Sequence, residues 1–283
     1  MRELRGIEEW RSFASDQRAK GLVVGLVPTM GALHEGHVSL IRAAKEHSDV
    51  VLVTSFVNPR QFDSADDLAR YPRTPERDRE LALECGVDCL VSPSLRDMWP
   101  DYPSPTPTTV WVGKLGERFE GAGRPGHFDG VASVVTKLFT ITGPSRSFFG
   151  EKDFQQLAVV RQMVRDLGFD VEVVGCPIVR AGDGLALSSR NVALSAEGRE
   201  HALGLSRALG RASEEPRPAS AQRAVMREVL VEYGVDVAYV DVVDPATLLS
   251  SNDGEAGLRR ALVAGFVEGV RLLDNAPVSI VGG

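Results

Sequence analysis

The sequence predicts an α/β fold, a doubly wound parallel sheet followed by a second, smaller α+β domain. Three observations carry this. Short apolar runs alternate with amphipathic stretches over the first two thirds of the chain. The runs are continuous rather than alternating, as in strands covered on both faces. The texture changes after about Val179, where two helical stretches precede three strand-like ones. The boundary expected from this places 1–178 in the first domain and 179–283 in the second.

The elements follow in order. Strands are expected at Leu22 to Val27, Val50 to Val57, Val87 to Val91, Ser147 to Gly150 and Asp170 to Val174. Helices are expected at Val38 to His47, Asp78 to Cys85, Val131 to Ile141 and Asp153 to Leu167. In the last of these, Leu157, Val160, Val164 and Leu167 recur at helical spacing. Beyond Val179, Ser195 caps a helix to Ser213, a proline-containing break follows, and a second helix covers Ala219 to Tyr233. Strands are then expected at Val237 to Val243, Leu258 to Phe266 and Val270 to Leu273. Pro100 to Pro107 reads as a loop, and the glycine-rich Gly121 to Gly126 as a mobile one.

Composition narrows the function. At 283 residues, 43% hydrophobic and 25% charged, the chain can bury a substantial core. A formal net charge of −7 argues against a broad nucleic-acid surface or an anionic membrane face. No apolar stretch approaches the roughly 20 residues of a membrane helix, and the start of the chain has no signal-like apolar core. The expectation is a cytoplasmic protein. Three cysteines, Cys85, Cys89 and Cys176, suit a reducing compartment and ordinary packing rather than a metal site.

Parallel sheets of this kind bind ligands beyond the carboxyl ends of their strands, and three informative loops stand there. Pro28-Thr29-Met30-Gly31-Ala32-Leu33-His34-Glu35-Gly36-His37 joins a strand to a helix start, where free N–H groups and the helix dipole favour phosphate. His34 and His37 add donors for a phosphate whose charge is changing. Asn58-Pro59-Arg60-Gln61-Phe62 follows the second run with two amides that can orient a small polar substrate. Gly150-Glu151-Lys152-Asp153 allows close backbone approach at Gly150, a compact cation at Lys152 and an acid at Asp153; Gln156 faces the same side. A fourth cluster, Leu187-Ser188-Ser189-Arg190, offers hydroxyls and a guanidinium suited to phosphates. Arg124 and His127 add cationic or donor groups.

Taken together these segments resemble the pantoate–β-alanine ligase family. The resemblance rests on Pro28 to His37, Phe56 to Phe62, Tyr71-Pro72-Arg73-Thr74, Phe148 to Leu157, Leu185 to Asn191 and Arg271-Leu272-Leu273-Asp274-Asn275, in the family's order and over nearly the whole chain. The set is also similar to the wider class of Rossmann-like adenylate-forming enzymes, with His34 to His37 standing for the HIGH signature and Ser188-Ser189-Arg190 for the mobile KMSKS loop.

The resemblance implies ATP-dependent joining of pantoate to β-alanine through pantoyl adenylate, releasing pyrophosphate and then AMP. It implies ATP contacts at Met30, Gly31, His34, His37, Gly150, Lys152, Asp153, Val179, Leu187, Ser188, Ser189 and Arg190. His37, His34, Lys152 and Arg190 take the catalytic roles. Gln61, Gln156 and Asn58 are implied at the pantoate and β-alanine sites. Magnesium would arrive mainly on the ATP phosphates, with Asp78 as a candidate helper, and no organic prosthetic group is expected. A homodimer is implied, with no nucleic-acid or membrane partner.

Arg60 departs from the family's usual threonine or methionine and is expected to put a cation beside pantoate. Leu187 in place of methionine and Phe154 in place of tyrosine read as packing changes. Two alternatives stand beside the ligase: a nucleotidylyltransferase of the same superfold, and a non-catalytic nucleotide-binding module. A last expectation is that the second domain closes as a lid, with Gly182 and Gly184 giving freedom near the hinge.

Overall fold

The computed structural model describes all residues, Met1–Gly283. The chain starts with strand β1 (Arg2–Leu4) and helix α1 (Ile7–Ala19), then alternates through β2 (Val24–Thr29), α2 (Glu35–His47) and β3 (Val50–Ser55). Next come α3 (Ala65–Arg70), α4 (Pro75–Glu84), β4 (Cys89–Val91), α5 (Leu95–Met98), α6 (Glu120–Gly123) and α7 (His127–Thr142). β5 (Ser145–Gly150), α8 (Phe154–Leu167) and β6 (Val171–Cys176) complete this half. α9 (Ala196–Ser213), α10 (Ala219–Glu232), β7 (Asp236–Val243), β8 (Gly257–Val267) and β9 (Val270–Ile280) follow.

Six strands form one sheet in the order β1-β4-β3-β2-β5-β6, every neighbouring pair parallel. This is the doubly wound sheet that the alternation predicts. β2 and β3 are buried along almost their whole length. Their side chains divide by strand alternation. Leu26 and Leu52 face a core with Trp10 and Phe13 of α1 and Val131, Val135 and Phe139 of α7. Val27, Val51 and Val53 face the opposite one, with Leu40, Ile41 and Ala44 of α2 and Ala82 of α4. The chain leaves β2 for β3 on one side, then returns across it to β5 on the other. The strand order therefore reverses between β2 and β5, and their carboxyl ends frame the crevice of such sheets.

The chain forms two compact units, 1–151 with 155–177, and 152–154 with 178–283. In the second unit, β7, β8 and β9 form an antiparallel sheet. Its core joins Leu205 and Leu209 of α9 and Met226 and Leu230 of α10 to Val242, Val263 and Leu272 of the sheet. The hairpin from β8 to β9 turns on Glu268 (φ 51°) and Gly269 (φ 76°), both left-handed, as a two-residue turn requires. The Glu268 carboxylate accepts from the N–H and hydroxyl of Ser195, the residue that caps α9.

Two parts of the sequence reading are corrected. β1 and α1 were not anticipated, and β9 continues to Ile280 instead of ending at Leu273. No helix is long and apolar enough to cross a membrane. Cys85, Cys89 and Cys176 are free thiols, and burial pushes those of Cys89 and Cys176 up to about 12 and about 11.

Candidate active site

The loop between β2 and α2 is held open by its own backbone and by one buried acid. Gly31 (φ 78°) and Ala32 (φ 49°) are both left-handed, and a non-glycine residue there costs about 1 kcal/mol. A Cβ on Gly31 would lie 2.9 Å from both Asp78 Oδ2 and Ser55 Oγ. The conformation is held from across the fold. The N–H of Ala32 donates to Asp78 Oδ2 at 2.9 Å and that of Leu33 to Asp78 Oδ1 at 2.8 Å. The Thr74 hydroxyl donates to the same Oδ1 at 3.0 Å.

Asp78 is 2% exposed. Three protein donors contact its two oxygens, and it anchors the loop. No group of three His, Cys, Asp or Glu side chains that could hold a metal ion is present. Asp78→Asn should put an amide N–H against a backbone N–H, costing about 1–3 kcal/mol of stability and lowering turnover. The magnesium concentration giving half-maximal rate should stay unchanged in titrations; a rise would return Asp78 to the metal.

The anion-binding expectation at α2 is also revised. The Gly36 N–H donates to His34 Nδ1 at 3.1 Å, and the His37 N–H donates to the His34 carbonyl at 2.7 Å. The His34 N–H in turn donates to His37 Nδ1 at 3.3 Å. The helix start thus spends main-chain donors on its own capping box. The same bonds fix the tautomers. Each Nδ1 accepts, so each neutral ring carries its proton on Nε2. The ring centroids are 4.2 Å apart. This corner also carries two imidazole N–H groups, with the helix dipole behind them.

The second loop follows β3, and its amides divide their work. Asn58 is 1% exposed. Its Nδ2 donates to Gln61 Oε1 at 3.0 Å and to the Gly130 carbonyl at 3.1 Å. Its Oδ1 accepts from the Trp99 indole at 3.0 Å and from the Arg60 N–H at 3.3 Å. Both amide hydrogens and two acceptor contacts are used within the protein, so Asn58 orients Gln61.

The Gln61 amide is directed further by its Nε2, which donates to Met30 Sδ at 3.1 Å, joining the second loop to the first. The Gln61 carbonyl accepts from His127 Nδ1 at 2.7 Å and from Arg124 at 3.2 Å. Arg124 and His127 thus clamp the Gln61 backbone. Gly130 of α7 was not anticipated as a site residue. A Cβ there would sit 2.0 Å from the Arg60 carbonyl oxygen, so only glycine lets α7 reach this turn.

The Arg60 side chain packs against the indole of Trp99. Its guanidinium carbon lies 5.0 Å from the centre of the Trp99 ring and its Nη2 donates to the Ser104 carbonyl at 2.8 Å. It thereby fastens the proline-rich segment. Lys137 approaches the same indole, 4.8 Å from the ring centre, and burial lowers its pKa, with Arg60 adding to the effect.

The third loop continues β5 through Gly150 into the Glu151–Asp153 turn. Lys152 lies 3.5 Å from Asp153 Oδ1, its side chain mostly covered and that of Asp153 half exposed. Gln155, beside the expected Gln156, is a structural amide: it is buried, accepts from the Glu120 N–H and donates to the carbonyls of Leu115 and Arg118. Gln156 is half-buried on the first turn of α8.

In the second unit, the Leu187 N–H donates to the Val179 carbonyl at 2.9 Å, so two expected ATP contacts lie side by side. Ser188 caps the Ser189–Ala193 turn through the Arg190 N–H. Gly182 and Gly184 sit in a turn closed by the Arg180–Ala186 bridge, and Asp183 in the same turn pairs with Arg199 at 2.7 Å.

Comparisons with known proteins identify the family. A family model described as pantoate-beta-alanine ligase matches residues 2–277. The chain belongs to the pantoate–β-alanine ligase family. The pantothenate synthetase of Paracoccus denitrificans is 48% identical over 281 residues, covering 98% of each chain. Among solved structures, the pantothenate synthetase of Thermus thermophilus superposes with a TM-score of 0.88 at 45% identity, over 98% of this chain and 99% of that one. The pantoate–β-alanine ligase of Francisella tularensis, solved in complex with beta-gamma ATP and beta-alanine, gives a TM-score of 0.80 at 32% identity, over 98% and 97% of the two chains.

Proposed function

We propose that this enzyme joins pantoate to β-alanine at the expense of ATP, making pantothenate by way of pantoyl adenylate. The observation that carries the reading is the pairing at one sheet edge of two Nε2-protonated imidazoles with an amide, Gln61, tied to their loop through Met30. A phosphate binder and a polar-substrate binder share one rigid support. The family membership supplies the substrates.

In the first step a pantoate carboxylate oxygen attacks the α-phosphorus. The new P–O bond forms as the bond to the bridging oxygen breaks, and pyrophosphate leaves with the electron pair. Charge grows on that leaving group, and the Nε2–H donors of His34 and His37 with the Lys152 ammonium meet it. Met30, Gly31, Gly150 and Asp153 bind the nucleotide in this reading, while Gln61 and Gln156 hold pantoate's hydroxyls so that its carboxylate stays in line. In the second step the β-alanine amine attacks the acyl carbon, the C–O bond to AMP breaks with its electron pair leaving on the AMP phosphate, and the proton lost from nitrogen passes to solvent. Magnesium enters on phosphate and water oxygens. Pantoate-dependent exchange of pyrophosphate into ATP without β-alanine tests the first step; its absence would remove the adenylate.

The second unit contributes Val179, Leu187, Ser188, Ser189 and Arg190 to the same nucleotide and acts as a lid. Closure excludes water, which hydrolyses acyl adenylates. A fluorescent distance pair across the units should shorten with ATP, and less so in Arg190→Ala; an ATP-insensitive distance would make Arg190 a fixed ligand. A cytoplasmic homodimer completes the reading. It rests on the family resemblance and on two-fold dimers being the commonest assemblies, and a monomer mass by light scattering would reject the dimer.

A further inference from the structure

The segment Arg271-Leu272-Leu273-Asp274-Asn275 stands out in the sequence, yet no step above uses it. It lies in β9, and the structure buries its polar end: Asp274 is 3% and Asn275 2% exposed. Burying amides and charges is costly unless each is bonded, so their partners show what the arrangement is for. The Asn275 Nδ2 donates to the carbonyl of Lys152 at 2.8 Å. The Asn275 Oδ1 accepts from Arg260 Nε of β8 at 2.6 Å. An arginine only donates and a carbonyl only accepts, so this amide has one allowed orientation.

Two further contacts stiffen the arrangement. The Arg260 guanidinium carbon lies 4.3 Å from the ring centre of Phe154, two residues beyond Lys152. Asp274 accepts the Asn275 N–H at 2.8 Å and both Nη atoms of Arg180 at 2.6 and 2.9 Å. Residues 152–154, which run from the turn after β5 into the first residue of α8, belong to the second unit. The phosphate-binding lysine has its main chain bolted to the sheet of β8 and β9.

We propose that Asn275 and Arg260 are positioning residues for Lys152. They fix the 152–154 peptide on the second unit's sheet and so set where the lysine ammonium meets the phosphates. This rests on the role given to Lys152 in the ligase reading. Phe154 acquires a function in the same step: its ring is the platform on which Arg260 rests.

The test is a double-mutant cycle on the full-length enzyme, read as pantoate-dependent pyrophosphate release. Asn275→Ala should lower kcat about tenfold or more, since small displacements of a reacting group are costly, with KM for pantoate within about twofold. In the Lys152→Ala background the same change should cost less than about twofold, because the group it positions is already gone. Arg260→Lys keeps the charge but loses the planar fork, and should show the same nesting; it serves as the cycle if Asn275→Ala does not fold. Effects that multiply across either cycle, or an Asn275→Ala enzyme with parental kcat, would overturn the positioning role alone. Undiminished turnover in Lys152→Ala would overturn the role of Lys152 and this inference with it.

Discussion

Replacing His37 with alanine is expected to lower turnover about 10²-fold or more, the loss typical when a donor to developing charge is removed. The change also removes the acceptor of the His34 N–H, so part of any effect could come from the cap of α2. His37→Asn separates the two. Its side-chain oxygen can accept that N–H in place of Nδ1 while the Nε2 donor is lost. The account expects the asparagine variant to recover about 1 kcal/mol of stability relative to alanine and to remain almost as slow. Near-parental turnover in either folded variant would remove His37 from the mechanism.

The second large effect belongs to Gln61. Gln61→Ala should weaken pantoate by about 1–3 kcal/mol, roughly 5- to 150-fold, and ATP far less. The side chain is 9% exposed and its amide is aimed by Asn58 and Met30. Gln156→Ala should follow the same pattern. Equal losses for pantoate and ATP, measured by isothermal calorimetry, would show that the two amides do not define the substrate pocket.

The first-unit fold was legible because β2 and β3 are apolar on both faces and the helices around them are strongly amphipathic. α1 was not: of its thirteen residues only Trp10, Phe13 and Ala14 are buried, and the rest are largely charged or polar. β9 was cut short for a different reason. Asp274, Asn275 and Pro277 look like a turn, yet β9 is an edge strand, where proline is tolerated, and the two polar residues are satisfied by distant partners.

The site divides along the same line. The residues proposed to present chemistry, such as His34, His37 and Lys152, stand in local motifs. Residues that hold them do not. Asp78 reaches back over 45 positions to Leu33, Asn58 meets Trp99 across 41 and Gly130 across 72, and Asn275 meets Lys152 across 123. No local spacing encodes such contacts. The bonds by which Asn58 and Asp78 hold the protein's own loops were consequently not legible.

The most direct test of the account is AMP formation by the purified enzyme given ATP, magnesium and pantoate, with and without β-alanine. The account predicts little steady AMP release without the amine, and with it a rate at which AMP, pyrophosphate and pantothenate appear in equal amounts. Rapid AMP release that ignores β-alanine, or nucleotide transfer to a phosphorylated acceptor with no pantothenate formed, would contradict it.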